Sequence, residues 1–200
     1  MIKDFPLGKT FYVMRHAETD DNKGGLVSGS GREPSLTENG KEQAVAVCSV
    51  LEKLNPPINL VVTSEMGRTK ETADIIFDDT IAKIIDAGIN ERSYGSADGI
   101  SEQERQKLKA SGAVSGEESK EDVKNRAVEA VKRNLGGDKT PLFITHGGVI
   151  LRLFGIALGG EKAVDKIKNA GRKPKNCAVY EFKTPEALGG KWQVSLLSLS

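Results

Sequence analysis

Short apolar runs alternate with longer helical patterns along this chain, and its only two histidines each close one of those runs. His16 ends Thr10-Phe11-Tyr12-Val13-Met14-Arg15-His16, and His146 ends Pro141-Leu142-Phe143-Ile144-Thr145-His146, just before Gly147-Gly148. Continuous apolar runs suit strands buried on both faces, and their alternation with helices is the pattern of α/β layering. We expect a three-layer α/β/α sandwich with a mostly parallel central sheet, built as one domain over residues 1–200. In such sheets side chains from distant segments converge beyond the strands' carboxyl ends, where helix N-termini also aim N–H groups at anions. Two imidazoles and an arginine are thereby expected to share one phosphate pocket.

The strands are predicted at Thr10–Met14, Ile58–Val62 and Leu142–Thr145, with a weaker one at Ile81–Ile85. Two more, Cys177–Phe182 and Trp192–Leu197, flank a Gly189-Gly190 turn and are expected to cover or extend one sheet edge. Ser35 or Thr37 can cap a helix carrying Ala44, Val47, Leu51 and Leu54, with Gly40 tolerated near its start. Further helices are predicted from Arg68 to Phe77, Ser119 to Leu135 and Val149 to Leu158, and an exposed loop over Gly112–Glu118.

Charge narrows the partners: 29 Lys and Arg against 28 Asp and Glu leave a net charge of +1, which argues against a nucleic-acid binder. No stretch has the length of a membrane span, and Met1–Gly8 lacks the apolar core of a secretory signal. Cys48 and Cys177 have no metal-ligand spacing and read as two buried free thiols, which favours a cytoplasmic, reducing compartment. An apolar sheet edge or helix face buried between copies leaves a homodimer open.

The most specific text is Arg15-His16-Ala17-Glu18-Thr19, followed by Asp20-Asp21-Asn22 and a Gly/Ser-rich loop. Ser35-Leu36-Thr37-Glu38-Asn39-Gly40, Thr63-Ser64-Glu65-Met66-Gly67-Arg68, Asn90-Glu91-Arg92 and Thr145-His146-Gly147-Gly148 follow in order. Together they resemble the histidine phosphatase superfamily, which also contains the cofactor-dependent phosphoglycerate mutases. The family's opening motif carries glycine where this chain has Ala17, a change that excludes backbone conformations with positive φ. The resemblance implies a catalytic constellation of Arg15, His16, Arg68, Glu91 and His146, with Asn22 as an accessory phosphate ligand.

Chemistry agrees with that assignment. Phosphoryl transfer needs a nucleophile, donors around the nonbridging oxygens and an acid for the leaving group. His16 can attack phosphorus, Arg15, Arg68 and His146 can hold phosphate oxygens, and Glu91 can protonate the departing oxygen. No metal or cofactor is called for, because arginine and imidazole groups compensate the charge. Each residue also has a plainer reading: a structural imidazole, a surface ion pair, a loop-stabilising Asn22 or a solvated Glu91, for which Glu18, Glu33, Glu65 and Asp98 are alternatives. Ser64 and Thr145 are expected to support their neighbours, and Arg105-Gln106-Lys107 to touch substrate or solvate a short helix. The expected activity is phosphomonoester hydrolysis on a small phosphorylated metabolite or a phosphoprotein. The short interval between Glu91 and His146 suits hydrolysis over mutase-like transfer. A weakly catalytic phosphate-binding scaffold is the remaining alternative.

Overall fold

A computed structural model describes residues 5–198; the outermost residues of the predicted 1–200 domain lie outside the described residues. Strands β1 (Thr10–Arg15), β2 (Leu60–Thr63), β3 (Lys83–Ile85), β4 (Pro141–Thr145), β5 (Val179–Lys183) and β6 (Gln193–Ser198) form one sheet in the order β3-β2-β4-β1-β5-β6. The four strands from β3 to β1 run parallel, while β5 pairs antiparallel with β1 and β6 with β5. The C-terminal pair thus extends the sheet beyond β1.

Side chains alternate across a strand, so each central strand feeds two cores. Phe11, Val13, Val62 and Phe143 point to the layer holding α5 (Lys120–Asn134) and α6 (Gly147–Leu158). Tyr12, Met14, Val61 and Ile144 point to the layer holding α2 (Glu38–Leu51) and α3 (Gly67–Ile76). This is the expected three-layer α/β/α sandwich. Short α1 (Asp20–Lys23), α4 (Glu102–Ala110) and α7 (Glu161–Asn169) lie in the connections after β1, after β3 and after α6.

Of the two candidate caps for α2, Thr37 accepts from the Gly40 amide at 2.9 Å. Gly40 is more than tolerated. A Cβ there would overlap the Glu18 carbonyl oxygen, so the glycine lets the first turn of α2 pack against the segment leaving β1. Backbone cannot yield as a flexible side chain can, and Gly40→Ala is expected to destabilise the fold by about 1–3 kcal/mol despite alanine's better helix propensity. Urea denaturation measures this; an unchanged or higher midpoint would show that the segment gives way at no cost.

Several boundaries move for local reasons. β5 begins at Val179 rather than Cys177, because Cys177 sits at φ 53 and its N–H turns back to the Arg15 carbonyl. Cys177 is buried, but Cys48 on α2 is only partly so. The α6 helix stops where predicted: Gly159 and Gly160 both take positive φ and leave α7 to start afresh. Among the described residues no helix is long and apolar enough to cross a membrane.

Candidate active site

Arg15 on β1 is the register partner of Thr145 on β4, so His16 and His146 leave adjacent parallel strands side by side. The His16 amide donates to the Thr145 carbonyl at 2.9 Å, and the two rings stand 5.2 Å apart. His16 Nδ1 lies 2.7 Å from the Ala17 carbonyl oxygen. A carbonyl only accepts, so the neutral ring carries its proton on Nδ1 and its lone pair on Nε2. Burial, then the charges of Arg15 and Arg68, hold the His16 pKa well below the ordinary imidazole value. At neutral pH it is an uncharged base.

Ala17 fits this arrangement without strain, since among the described residues Cys177 alone of the non-glycines has positive φ. Its buried methyl joins the core cluster that contains Leu36 and Ala44, and its amide donates to Thr72 Oγ1 at 3.1 Å.

His146 is held from both sides. Arg68 Nε donates to its Nδ1 at 3.2 Å, which fixes the remaining ring proton on Nε2, 2.9 Å from Ser64 Oγ. Ser64 can then donate to Thr69 Oγ1 at 2.8 Å, and Thr69 to the Met66 carbonyl at 2.9 Å. The supporting part expected of Ser64 is thus to orient His146. Thr145 similarly donates to the Ile89 carbonyl at 2.7 Å, tying β4 to the turn before Glu91. The His146 pKa is pushed well below its ordinary value by burial and by Arg68.

The two arginines differ. Arg15 opens on a cavity of about 680 Å³, donates from Nη1 to the Pro174 carbonyl at 3.0 Å, and has a buried Nε with no partner. An unmet buried N–H is costly unless an acceptor arrives. Arg68 is 1% exposed and also donates to the carbonyls of Arg32 and Gly29, at 2.9 and 3.3 Å, and to Met66 Sδ at 3.1 Å. It is brought to the cluster behind His146 rather than into the cavity lining.

Glu91 lines the same cavity and is buried, with Oε1 accepting from the Arg92 amide at 2.8 Å and Oε2 from the Gly148 amide at 3.1 Å. Burial outweighs these two bonds and the two arginines, so its pKa is raised above the ordinary carboxyl value. Glycine at 148 leaves room for this carboxylate, because a Cβ there would overlap Glu91 Oε1 and push it aside. The other acidic candidates are engaged elsewhere. Glu18 accepts from Thr37 and Asn39, Asp98 from the Gly29 amide, Glu33 from the Gly67 amide and Glu65 from Asn90.

Asn22 does stabilise its loop: it forms a capping box with Thr19, and its Oδ1 accepts from Asn176 at 2.9 Å. It also lines the cavity, where its amide NH₂ is the group left for a phosphate oxygen. Sequence reasoning missed Asn176, which also donates to the His16 carbonyl at 2.9 Å. It lies far along the chain and carries no motif. The positive end of α6 completes this polar pocket at Gly147 and Gly148. Among the described residues no three His, Cys, Asp or Glu side chains come together as metal ligands.

A family model of the histidine phosphatase superfamily (branch 1) matches residues 11–198. The chain belongs to that superfamily. It is 30% identical over 166 residues to a probable phosphoglycerate mutase GpmB of Shigella dysenteriae serotype 1, covering 74% of each chain. Among solved structures, Bacillus stearothermophilus YhfR superposes with a TM-score of 0.78 at 25% identity, over 96% of this chain and 98% of that one. A putative alpha-ribazole-5'-P phosphatase of Escherichia coli K-12 shares the fold with the same TM-score at 19% identity, over 96% and 97% of the two chains. The superfamily and its fold go with phosphoryl transfer or hydrolysis on small phosphorylated metabolites.

Proposed function

We propose that this chain hydrolyses phosphomonoesters through a phosphohistidine at His16. The observation that carries the reading is the His16 ring, whose proton is tied to the Ala17 carbonyl while Nε2 is the nitrogen left for the cavity. In the first step the Nε2 lone pair forms a bond to phosphorus as the ester P–O bond breaks, and Glu91 gives its proton to the departing oxygen. In the second, Glu91 takes a proton from water as the water oxygen attacks phosphorus. The P–N bond breaks, Nε2 recovers its lone pair, and inorganic phosphate leaves. Arg15, Arg68 and the start of α6 supply positive charge to the nonbridging oxygens, so no metal is needed.

Rapid acid-free quenching with a labelled phosphomonoester tests the intermediate: label is expected on residue 16, lost in acid and kept in alkali. Turnover without such label would sink it. The name of the GpmB relative supports a second reading, phosphoryl transfer between positions of one substrate. A monophosphorylated hydroxy acid, primed with a trace of its bisphosphate, separates the two, since hydrolysis releases stoichiometric phosphate and transfer yields the isomeric monophosphate without it.

Arg15→Lys keeps the charge but loses the planar fork and the Nε donor. Loss of one preorganised donor corresponds to about 3 kcal/mol, so kcat/KM is expected to fall by about 10²-fold and vanadate inhibition to weaken in parallel. Parental vanadate affinity in the lysine variant would remove Arg15 from phosphate binding.

A further inference from the structure

Glu91 stands on a stretch of chain that forms neither helix nor strand: residues 90–93 run from the turn at Ala87–Ile89 to the bridge that Tyr94 makes with Glu117. A proton donor must be held within hydrogen-bond reach of the oxygen it serves, and no regular ladder fixes its backbone here. Arg126, near the middle of α5, supplies donors instead. Its Nη1 donates to the carbonyls of Gly88 and Asn90, at 3.0 and 2.6 Å, and its Nη2 to the carbonyl of Glu91 itself at 3.2 Å. Its remaining N–H groups go to one carboxylate, with Nε 2.7 Å from Glu118 Oε1 and Nη2 2.9 Å from Glu118 Oε2. All five donors of the guanidinium are thereby met.

Glu118 carries the grip past Glu91. Its Oε2 also accepts from the Ser93 amide at 3.3 Å, its amide donates to the Ser93 carbonyl at 2.9 Å, and its carbonyl accepts from Arg92 Nε at 2.6 Å. Glu91 therefore has tethered residues on both sides, and the Arg92 and Gly148 amides then aim its carboxylate. Neither Arg126 nor Glu118 lines the catalytic cavity, so neither is placed to touch an ester. Their side chains are 24% and 23% exposed. An ion pair open to solvent to that degree adds little to folding by itself, whereas a planar fork across three neighbouring carbonyls fixes geometry that a point charge cannot copy.

We infer that Arg126, backed by Glu118, is a positioning residue for proton transfer, one that sets where the Glu91 carboxyl meets the leaving oxygen. This rests on the hydrolytic reading above and adds to it a residue that the substrate never touches.

The test is Arg126→Gln in single-turnover formation of the phosphohistidine. With an alkyl phosphate, whose leaving oxygen needs the proton, the rate is expected to fall about 10- to 100-fold, part of what a general acid supplies. With an activated aryl phosphate, and in vanadate affinity, the change is expected to stay within about threefold. Because Arg126 acts through Glu91, adding its substitution to Glu91→Gln is expected to slow the alkyl ester by no more than about twofold further. Glu118→Gln keeps the size of the side chain and removes its charge; it is expected to give the same pattern at smaller amplitude, and it decides the matter if Arg126→Gln does not fold. Lys124→Gln, an equal charge change on α5 at a lysine paired with Glu121, is expected to match the parent. One readout needs no turnover. The Gly148 amide, in the first turn of α6, has the Glu91 carboxylate as its acceptor, and its hydrogen exchange is expected to quicken about tenfold in Arg126→Gln relative to Lys124→Gln. Alkyl and aryl esters slowed alike, a loss that multiplies with that of Glu91→Gln, or parental alkyl rates in the Arg126 and Glu118 variants overturns the inference and leaves the phosphohistidine at His16 standing. A parent that hydrolyses neither ester overturns the hydrolytic reading instead. Faster Gly148 exchange then keeps Arg126 as the residue that holds Glu91 in place, and unchanged exchange removes it from that role as well.

Discussion

His16→Ala is expected to lower kcat/KM by roughly ten-thousand-fold on any ester the parent hydrolyses, because it removes the atom that bonds to phosphorus. Arg15, Glu91 and the α6 N-terminus stay in place, so ester binding should fall far less than turnover. Residual activity within tenfold of the parent would take His16 out of the nucleophile's role. Stability adds an independent signature. Because the folded His16 resists protonation well below the ordinary value of 6.5, the unfolded chain binds the extra proton as pH falls through that value. The unfolded state then gains, so stability drops on acidification, from about pH 6.5 down towards the depressed folded pKa. Deleting the ring removes that share, and the alanine variant should lose less stability between neutral and mildly acidic pH. His146, shifted the same way, keeps part of the slope.

The parts of this site that were legible in the sequence are those encoded locally. Arg15 and His16 close an apolar run, His146 closes another, and a parallel pairing of the two runs suffices to bring them together. Thr37, one of the two caps offered for α2, and a helix starting near Ser119 were readable for the same reason. What escaped was set by contacts distant in sequence. Gly40 reads as a weak helix residue until Glu18 is seen packed on it, and Gly148 as a loop glycine until Glu91 appears beside it. Helix α7 does carry an apolar stripe, Val164 and Ile167, but at nine residues it is too short for periodicity alone to establish it. Its packing against α6 also sets Lys168 and Arg152 in the lining of one cavity, which no motif announces. The aim of Arg68 is likewise nonlocal, because the carbonyls of Gly29 and Arg32 decide where its fork points.

Glu91→Gln is the change expected to separate proton transfer from phosphate binding. Ordinary pKa values would defeat the first step: between 4.5 and 6.5 an unperturbed glutamate is ionised and an unperturbed histidine protonated, each in the wrong form. Here burial raises the carboxyl and depresses the imidazole, so the two shifts act together to make neutral His16 and protonated Glu91 coexist. Formation of the intermediate should accordingly decline as pH rises through the raised Glu91 pKa, and a glutamine at 91 should abolish that decline. With an alkyl phosphate, whose leaving oxygen needs the proton, the variant is expected to form intermediate about 10²- to 10⁴-fold more slowly. An activated aryl phosphate should lose far less, since its leaving oxygen tolerates the charge. That second substrate is essential, because the isostere is not innocent. Both Glu91 oxygens accept backbone N–H bonds, from Arg92 and Gly148, and glutamine must turn an NH₂ towards one of them. If the pocket were merely disrupted, alkyl and aryl esters would slow alike in single-turnover measurements, and the general-acid assignment would fail. Unequal loss, together with a vanished alkaline decline, identifies Glu91 as the proton donor.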